Sequence, residues 1–395
     1  MPVVTRREAI ASLCGVLPLV IAPRFAFART ERQDRLVIVT LRGAVDGLAV
    51  VPSFGDPQYE IARAGLAQSR PGSGGGVLDL DGFFGLTPLM PGLHALYAKG
   101  EAMIFHAVAS PYRERSHFDG QNILETGRSR PFETSDGWLN RALAGIGRAP
   151  ARERAISLTS RMPLVLRGSA PVTSWTPSIG NAPGLSTISA VQRLYDQSDP
   201  GLARALSSAR RANAVVAGTA SSDKPFKGLM AAAGKFLGEP EGPCAAVVEL
   251  GGWDTHAAQA QPFGALYRNL ILLDEGVQAL ATELRSSWAH TAVLMITEFG
   301  RTVAMNGSQG TDHGTASVAI LAGGAVQGGR VVADWPGLLA RELLDGRDLR
   351  PTLDLRSIIK GCLIEFLGVT PDHVERVVFP ETRHVPPQRG IRRPG

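Results

Sequence analysis

Lysine and cysteine are scarce in this sequence, and aromatic residues make up only 6% of it. Five lysines stand in a combined lysine and arginine count of 41, so arginine carries nearly all of the basic charge, a bias that also follows from GC-rich coding. The net charge of +5 is small for 395 residues and is spread along the chain, so no nucleic-acid footprint is indicated. Three cysteines with no C-x-x-C pair exclude a disulfide-stapled scaffold and a thiolate metal site. No internal repeat is visible, and beyond the first 28 residues no apolar run is long enough to span a membrane. With 44% apolar and 19% charged residues, the chain is neither disordered nor fibrous and can bury one large core or two smaller ones.

Residues 1–28 read as an export signal rather than as part of the fold. Thr5-Arg6-Arg7-Glu8-Ala9-Ile10 forms a twin-arginine core, an apolar run extends from Ala9 to Ala22, and Ala26-Phe27-Ala28 offers an A-x-A cleavage site. The apolar run is shorter than the roughly 20 residues of a spanning helix. The other reading is a buried helix with a chance Arg-Arg pair. Removal of Arg6, Arg7, Arg24 and Glu8 with the signal lowers the net charge from +5 to +3. The expected destination is periplasmic or extracellular. Cys244 and Cys362 remain there, read as buried thiols with a disulfide as the alternative.

The rest of the chain alternates β-rich runs with helical patterns. Leu36–Leu41, Met103–Val108, Ala245–Leu250, Ala292–Thr297, Ser317–Ala322 and Arg330–Ala333 are short apolar runs of the kind that suits strands covered on both faces. Between the third and fourth, Phe263, Leu266, Leu270, Leu273, Val277, Leu280 and Leu284 recur by threes and fours, which predicts an amphipathic helix over 263–284. A last helix is expected at about 353–367. The predicted architecture is α/β, a three-layer sandwich with a central, mostly parallel sheet, forming a single domain over 29–395. Residues 160–242 are rich in Pro, Ser, Gly and Ala around an amphipathic stretch near 191–206, and are expected to form an insertion or cap.

Polar residues gather directly after the strand candidates, where open α/β sheets bind ligands. Asp46 follows the first strand in a glycine-flanked turn, as a metal carboxylate or a plain turn aspartate. Ser110–Gly120 (SPYRERSHFDG) enters a helix, and Ser116 there is an N-cap or a nucleophile, with Arg115, His117 and Asp119 beside it. Asp254 and His256 in GGWDTH form a carboxylate–imidazole pair, either ligating zinc or hydrogen-bonded to each other. Glu298 follows the next strand, and Arg301 can bind an oxyanion in bidentate fashion. His313 in TDHG closes the loop that begins at Arg301. Together these residues suit a divalent metal with oxygen and nitrogen ligands, such as zinc, calcium or manganese, and an anionic substrate. His94, His106, His290, His373 and His384 lack such company and read as core or surface.

The segments LVIVTLRGAVDGL, LDLDGFFGL, PYRERSHFDGQNILETG, GGWDTH, TEFGRT, GTDHG, GGRVVADWPGL and RDLRPTLDLR, with the twin-arginine leader, resemble an exported bacterial family, domain of unknown function 1501. That family is similar to the alkaline phosphatase and sulfatase superfamily. The resemblance implies a central sheet with helices on both faces, one or two metals, and a nucleophile at a helix start. Residue by residue it implies metal ligation by Asp46, Asp254, His256, Glu298 and His313, a nucleophile at Ser116, and oxyanion contacts from Arg115 and Arg301. Phe299 departs from the superfamily pattern, since it stands at a ligand position and cannot ligate. The first expectation is therefore a metal-dependent hydrolase of phosphate or sulfate esters. The alternatives are a non-catalytic exported binding module and a different hydrolase or transferase acting on envelope polymers.

Overall fold

A computed structural model describes residues 34–146, 154–177, 185–216, 225–240 and 242–394, so the expected signal segment 1–28 lies outside the described residues. The strands are β1 Arg35–Leu41, β2 Leu78–Asp79, β3 Gly85–Leu86, β4 Ala102–Ala109, β5 Ala155–Ser157, β6 Val172–Ser174, β7 Ala245–Leu250, β8 Thr291–Ile296, β9 Ser317–Ala322, β10 Arg330–Val332 and β11 Leu353–Asp354. The longer helices are α1 Pro91–Ala98, α2 His117–Thr126, α3 Trp138–Ala144, α4 Leu185–Ser198, α5 Pro200–Val215, α6 Pro225–Gly238, α7 Ala265–Leu284 and α8 Leu355–Glu365.

Nine strands form the main sheet in the order β10-β4-β9-β8-β1-β7-β5-β6, with β11 pairing to β4 beyond the end of β10. β1 runs parallel to both neighbours, and only β9 is antiparallel to those beside it. Alternation along the strands builds the three layers. Val37 and Val39 of β1 join one core with Val293, Met295, Ala246 and Val248, beneath α1, α6 and α7. Leu36 and Ile38 point the other way, into a core with Leu294, Val247 and the buried faces of α3 and α8. A sheet buried on both sides needs apolar residues at every position, and this is why its strands appear as continuous runs.

The structure moves several element boundaries. α7 begins at Ala265 behind Gly264, so Phe263 lies outside the helix with φ +61° and is 72% exposed. The stretch near 191–206 is two helices, α4 and α5. Asp199 splits them by accepting from Gly201 N and Leu202 N at 2.8 and 3.0 Å, with Pro200 opening α5. Residues 160–242 are divided in their packing. β6 is an edge strand of the main sheet, α6 buries Phe226, Met230 and Leu237 against α7, and Leu194 of α4 and Leu202 of α5 stay exposed. Cys244 and Cys362 are buried and form no disulfide with each other, and the Cys244 thiol donates to Arg154 O at 3.3 Å. Among the described residues no helix is long and apolar enough to cross a membrane.

Candidate metal centre

β1, β4, β7 and β8 all end on one side of the sheet, and the segments leaving them meet there. Gly43, just past β1, has φ +121°, and a Cβ added to it would stand 2.7 Å from Asp254 N. Only glycine lets the β1 loop lie this close to the loop after β7. The loop after β8 folds back on itself: Arg301 bridges His313, and Gly314 N donates to Gly300 O at 2.9 Å. That return carries His313 to the end of the sheet. Asn306 fastens the loop to its neighbour by donating to His256 O and Asp312 Oδ1, both at 2.9 Å.

Four side chains converge. His117, Asp254 and His313 each offer one ligating atom, all within 4.8 Å of one another. His313 Nε2 lies 3.0 Å from His117 Nε2, 3.0 Å from His256 Nε2 and 3.1 Å from Asp254 Oδ1. His256 Nε2 is 3.0 Å from Asp254 Oδ1, and His117 Nε2 is 3.5 Å from Asp254 Oδ2. Ligands about 2.0–2.2 Å from one tetrahedral ion stand about 3.3–3.6 Å apart, so this spacing is close to that of a shared zinc site.

The far side of each imidazole fixes its tautomer. His117 Nδ1 meets Glu298 Oε1 at 2.9 Å, His313 Nδ1 meets Arg115 O at 2.9 Å, and His256 Nδ1 meets Asp312 Oδ1 at 3.3 Å. A carbonyl and two carboxylates can only accept, so each Nδ1 carries a hydrogen, and each ring, when neutral, turns an Nε2 lone pair inward. Lone pairs 3.0 Å apart repel unless a cation lies between them. Outer carboxylates and carbonyls that orient ligating imidazoles are the usual support of a metal site.

Electrostatics agree with this arrangement. Burial raises the Glu298 pKa, but hydrogen bonds from His117, Gln121 Nε2 and Gly43 N outweigh it, and the carboxyl lies below its ordinary value. The hydrogen bond to Glu298 raises the His117 pKa against burial. Asp254 is also lowered, because Arg301 and the histidines overcome its desolvation. Asp312 is lowered first by its hydrogen bond from Asn306.

Four of the expected residues have other partners in the structure. Asp46 is 2% exposed and does not join the group. Its Oδ2 accepts from Arg63 Nη2 at 2.7 Å and from Gln259 Nε2 at 2.5 Å, while Oδ1 caps Ala49 N. A guanidinium thus stands where an ion was expected. Glu298 is fully buried behind His117, with its Oε1 2.9 Å from His117 Nδ1. Arg301 spends Nη1 on Asp254 at 2.7 Å and Nε and Nη2 on Thr311, and its side chain has no exposed surface. Arg115 grips Asp348 Oδ2 through Nε and Nη2 at 3.0 and 2.7 Å, which occupies its fork.

His117 is the residue that sequence reasoning passed over. Its signal was present, as an imidazole at the first position of a helix, directly after Ser116. Phe299 is not a lost ligand. It is buried at 3% and stacks on His117 with ring centroids 5.1 Å apart. Gly120 allows the first turn of α2 to rest on the Phe299 ring, which an added Cβ would meet at 3.0 Å. Ser116 is the N-cap residue of α2, but its hydroxyl makes no cap hydrogen bond, and its N–H donates to Tyr112 Oη at 3.0 Å.

The family described as "Protein of unknown function (DUF1501)" matches residues 91–374. No curated protein matches the sequence. Similar solved structures include the C-terminal periplasmic domain of EptC from Escherichia coli in complex with Zn, at 11% identity and a TM-score of 0.34, over 73% of this chain and 72% of that one. The lipoteichoic acid synthase LtaP from Listeria monocytogenes is 10% identical with a TM-score of 0.38, over 88% and 74%. The phosphonate monoester hydrolase of Agrobacterium radiobacter is 11% identical with a TM-score of 0.38, over 86% and 74%.

Proposed function

The chain belongs to the DUF1501 family, and we propose that its imidazole cluster is a metal centre serving the hydrolysis of phosphate or sulfate esters. The observation that carries this reading is the convergence of three Nε2 lone pairs on one carboxylate, each imidazole held from behind by an acceptor. His117, His313, Asp254 and His256 would hold the ion. Three nitrogens and one oxygen favour a zinc-class ion over calcium, which takes oxygen ligands, and over manganese, which favours carboxylate and water. A bound divalent ion of this kind supplies Lewis-acid polarisation of an ester oxygen and lowers the pKa of a coordinated water.

The chain's own residues supply the rest. Arg301 keeps Asp254 ionised and aimed at the imidazoles. Glu298, Asp312 and the Arg115 carbonyl hold the three rings in their ligating tautomer. Ser116 stands at the start of α2 with its hydroxyl free of the cap, and is the candidate nucleophile toward phosphorus or sulfur. The first turn of α2 has no side-chain cap, so its amides and the positive end of its dipole favour the anionic group. That position takes over the oxyanion role once expected of Arg115 and Arg301.

One observation favours a second reading, a binding module without catalysis. Both candidate arginines are engaged by internal carboxylates. Zinc content of the purified protein, with turnover of aryl phosphates and aryl sulfates by the zinc-loaded form, decides between the two. Stoichiometric zinc with turnover supports the hydrolase, and zinc without turnover of any ester supports the module. In either case residues 1–28 act as a twin-arginine signal. Replacing Arg6 and Arg7 by Lys then leaves precursor in the cytoplasm, and normal export of that variant refutes the assignment.

A further inference from the structure

A cavity of about 350 Å³ opens beside α7, with Leu66, Pro88, Leu89, Leu266, Tyr267 and Leu270 among its lining residues. Small-molecule sites start at about this size and are lined mostly by apolar groups. Its rim is apolar as well. Phe263 is 72% exposed with its ring 5.2 Å from that of Tyr267, and Met305 is 39% exposed against Gly65, another lining residue.

Three polar residues of the lining are already engaged within the protein, while Thr87, Gln261 and Tyr267 add further polar atoms to it. Arg63 donates to Val303 O at 2.9 Å and to Asp46 Oδ2 at 2.7 Å, and Asp46 balances its charge. Gln259 donates to Asp46 and accepts from Thr255 Oγ1 and Thr311 Oγ1 at 2.8 and 2.6 Å. Gln68 donates to Ala49 O at 2.6 Å. A phosphate or sulfate entering here would lose its hydration and find no free charge to replace it. Arg63 Nε is buried and has no acceptor among the described residues.

The cavity and the imidazole cluster draw on one segment of the chain. Gln259, Ala260, Gln261 and Pro262 line the cavity, and Asp254 and His256 belong to the same loop. Thr255, between those two cluster residues, donates to Gln259.

We infer that this cavity binds an uncharged, mainly apolar group. Resting on the hydrolase reading above, it takes the apolar body of the ester whose anionic head goes to the imidazole cluster. The substrate class is then an alkyl or aryl ester of phosphate or sulfate.

The test uses the mature chain loaded with zinc. Fluorescence titration with N-phenyl-1-naphthylamine, a neutral apolar probe, is expected to saturate at one probe per chain. Ala67→Trp and Ala260→Trp fill the cavity from two segments and should weaken binding at least tenfold, while zinc content and far-ultraviolet circular dichroism stay unchanged. Across butyl, hexyl and octyl phosphate, KM should fall about fourfold per methylene until the cavity is full. Ala67→Trp should flatten that series. Absence of saturable probe binding, or equal binding by both variants, overturns the inference. Turnover with a KM indifferent to chain length overturns the substrate assignment and leaves the hydrolase reading intact. Probe binding with no turnover of any ester refutes the hydrolase reading and the substrate assignment together, and leaves the cavity as an apolar site.

Discussion

His117 Nε2 and His313 Nε2 lie 3.0 Å apart, and while both rings are neutral neither can place a hydrogen between them, because each has its hydrogen on Nδ1, facing an acceptor behind it. Something positive has to separate the two lone pairs. A divalent ion does so, and imidazole binds one through the neutral ring.

Metal content is the first consequence. Wild-type protein equilibrated with zinc and desalted should retain about one ion per chain by elemental analysis. His313→Ala and His117→Ala should each remove the ion, because His313 is within 3.1 Å of the other three donors and His117 carries the buried carboxylate. Retention of zinc in both variants would falsify the assignment of this cluster as a metal centre.

The support behind His117 is tested separately. Glu298→Gln keeps the size of the side chain but can turn a donor amide toward Nδ1, which removes the preference for the ligating tautomer. Loss of such an outer partner costs about 10–100-fold in metal affinity. Competition against a chelator of known affinity measures it. An affinity within twofold of wild type would show that Glu298 does not orient the ring.

Asp46 and Arg63 make the opposite prediction for a residue first read as a ligand. Both are fully buried, and removing one partner of such a pair costs about 3–5 kcal/mol. Asp46→Ala should therefore lower the midpoint of urea unfolding strongly, while the folded fraction still takes up zinc. Loss of zinc without loss of stability would restore Asp46 to the ligand set.

These outcomes show where the sequence could be read and where it could not. The sheet was legible because strands covered on both faces, such as β1 and β8, are continuously apolar, and α7 because its stripe is long. The positions of Asp254, His256 and His313 followed from strand ends. Which cation faces a carboxylate is a different kind of fact. Asp46 meets Arg63, seventeen positions on, and Glu298 meets His117 across 181 positions, and no local pattern encodes either contact. Phe299 was taken for a gap in a ligand pattern because sequence position alone cannot distinguish a side chain that ligates from one that backs the ligand.

His106 supplies a pH dependence remote from the metal centre. It is fully buried at the bulge of β4, its Nε2–H donating to Val51 O at 2.9 Å and its Nδ1 accepting from Ala107 N at 2.8 Å. Burial lowers its pKa from 6.5 to about 4. Between those values the unfolded chain binds a proton that the folded chain refuses, so stability is full above about pH 6.5 and falls as the pH drops toward 4. The whole window is worth about 3 kcal/mol. Urea midpoints measured from pH 7 to pH 4 should fall more steeply for wild type than for His106→Gln, and parallel slopes would show that His106 does not titrate in this way.

Ser116→Ala separates chemistry from architecture. Substituting an N-cap that holds a helix amide costs about 0.5–2 kcal/mol, but the Ser116 hydroxyl holds none, and the segment is tied instead through its N–H to Tyr112 Oη. The stability cost should therefore fall at or below the lower end of that range, and His117, one position on, should keep its place. Zinc content should be unchanged for the same reason. If Ser116 is the nucleophile, turnover of an aryl phosphate should drop by at least 10³-fold in a variant that melts within a degree or two of wild type. A variant with wild-type turnover would exclude Ser116 as nucleophile and leave a coordinated water as the attacking group. A variant that loses stability and activity in proportion would instead make Ser116 a structural residue of the α2 entry.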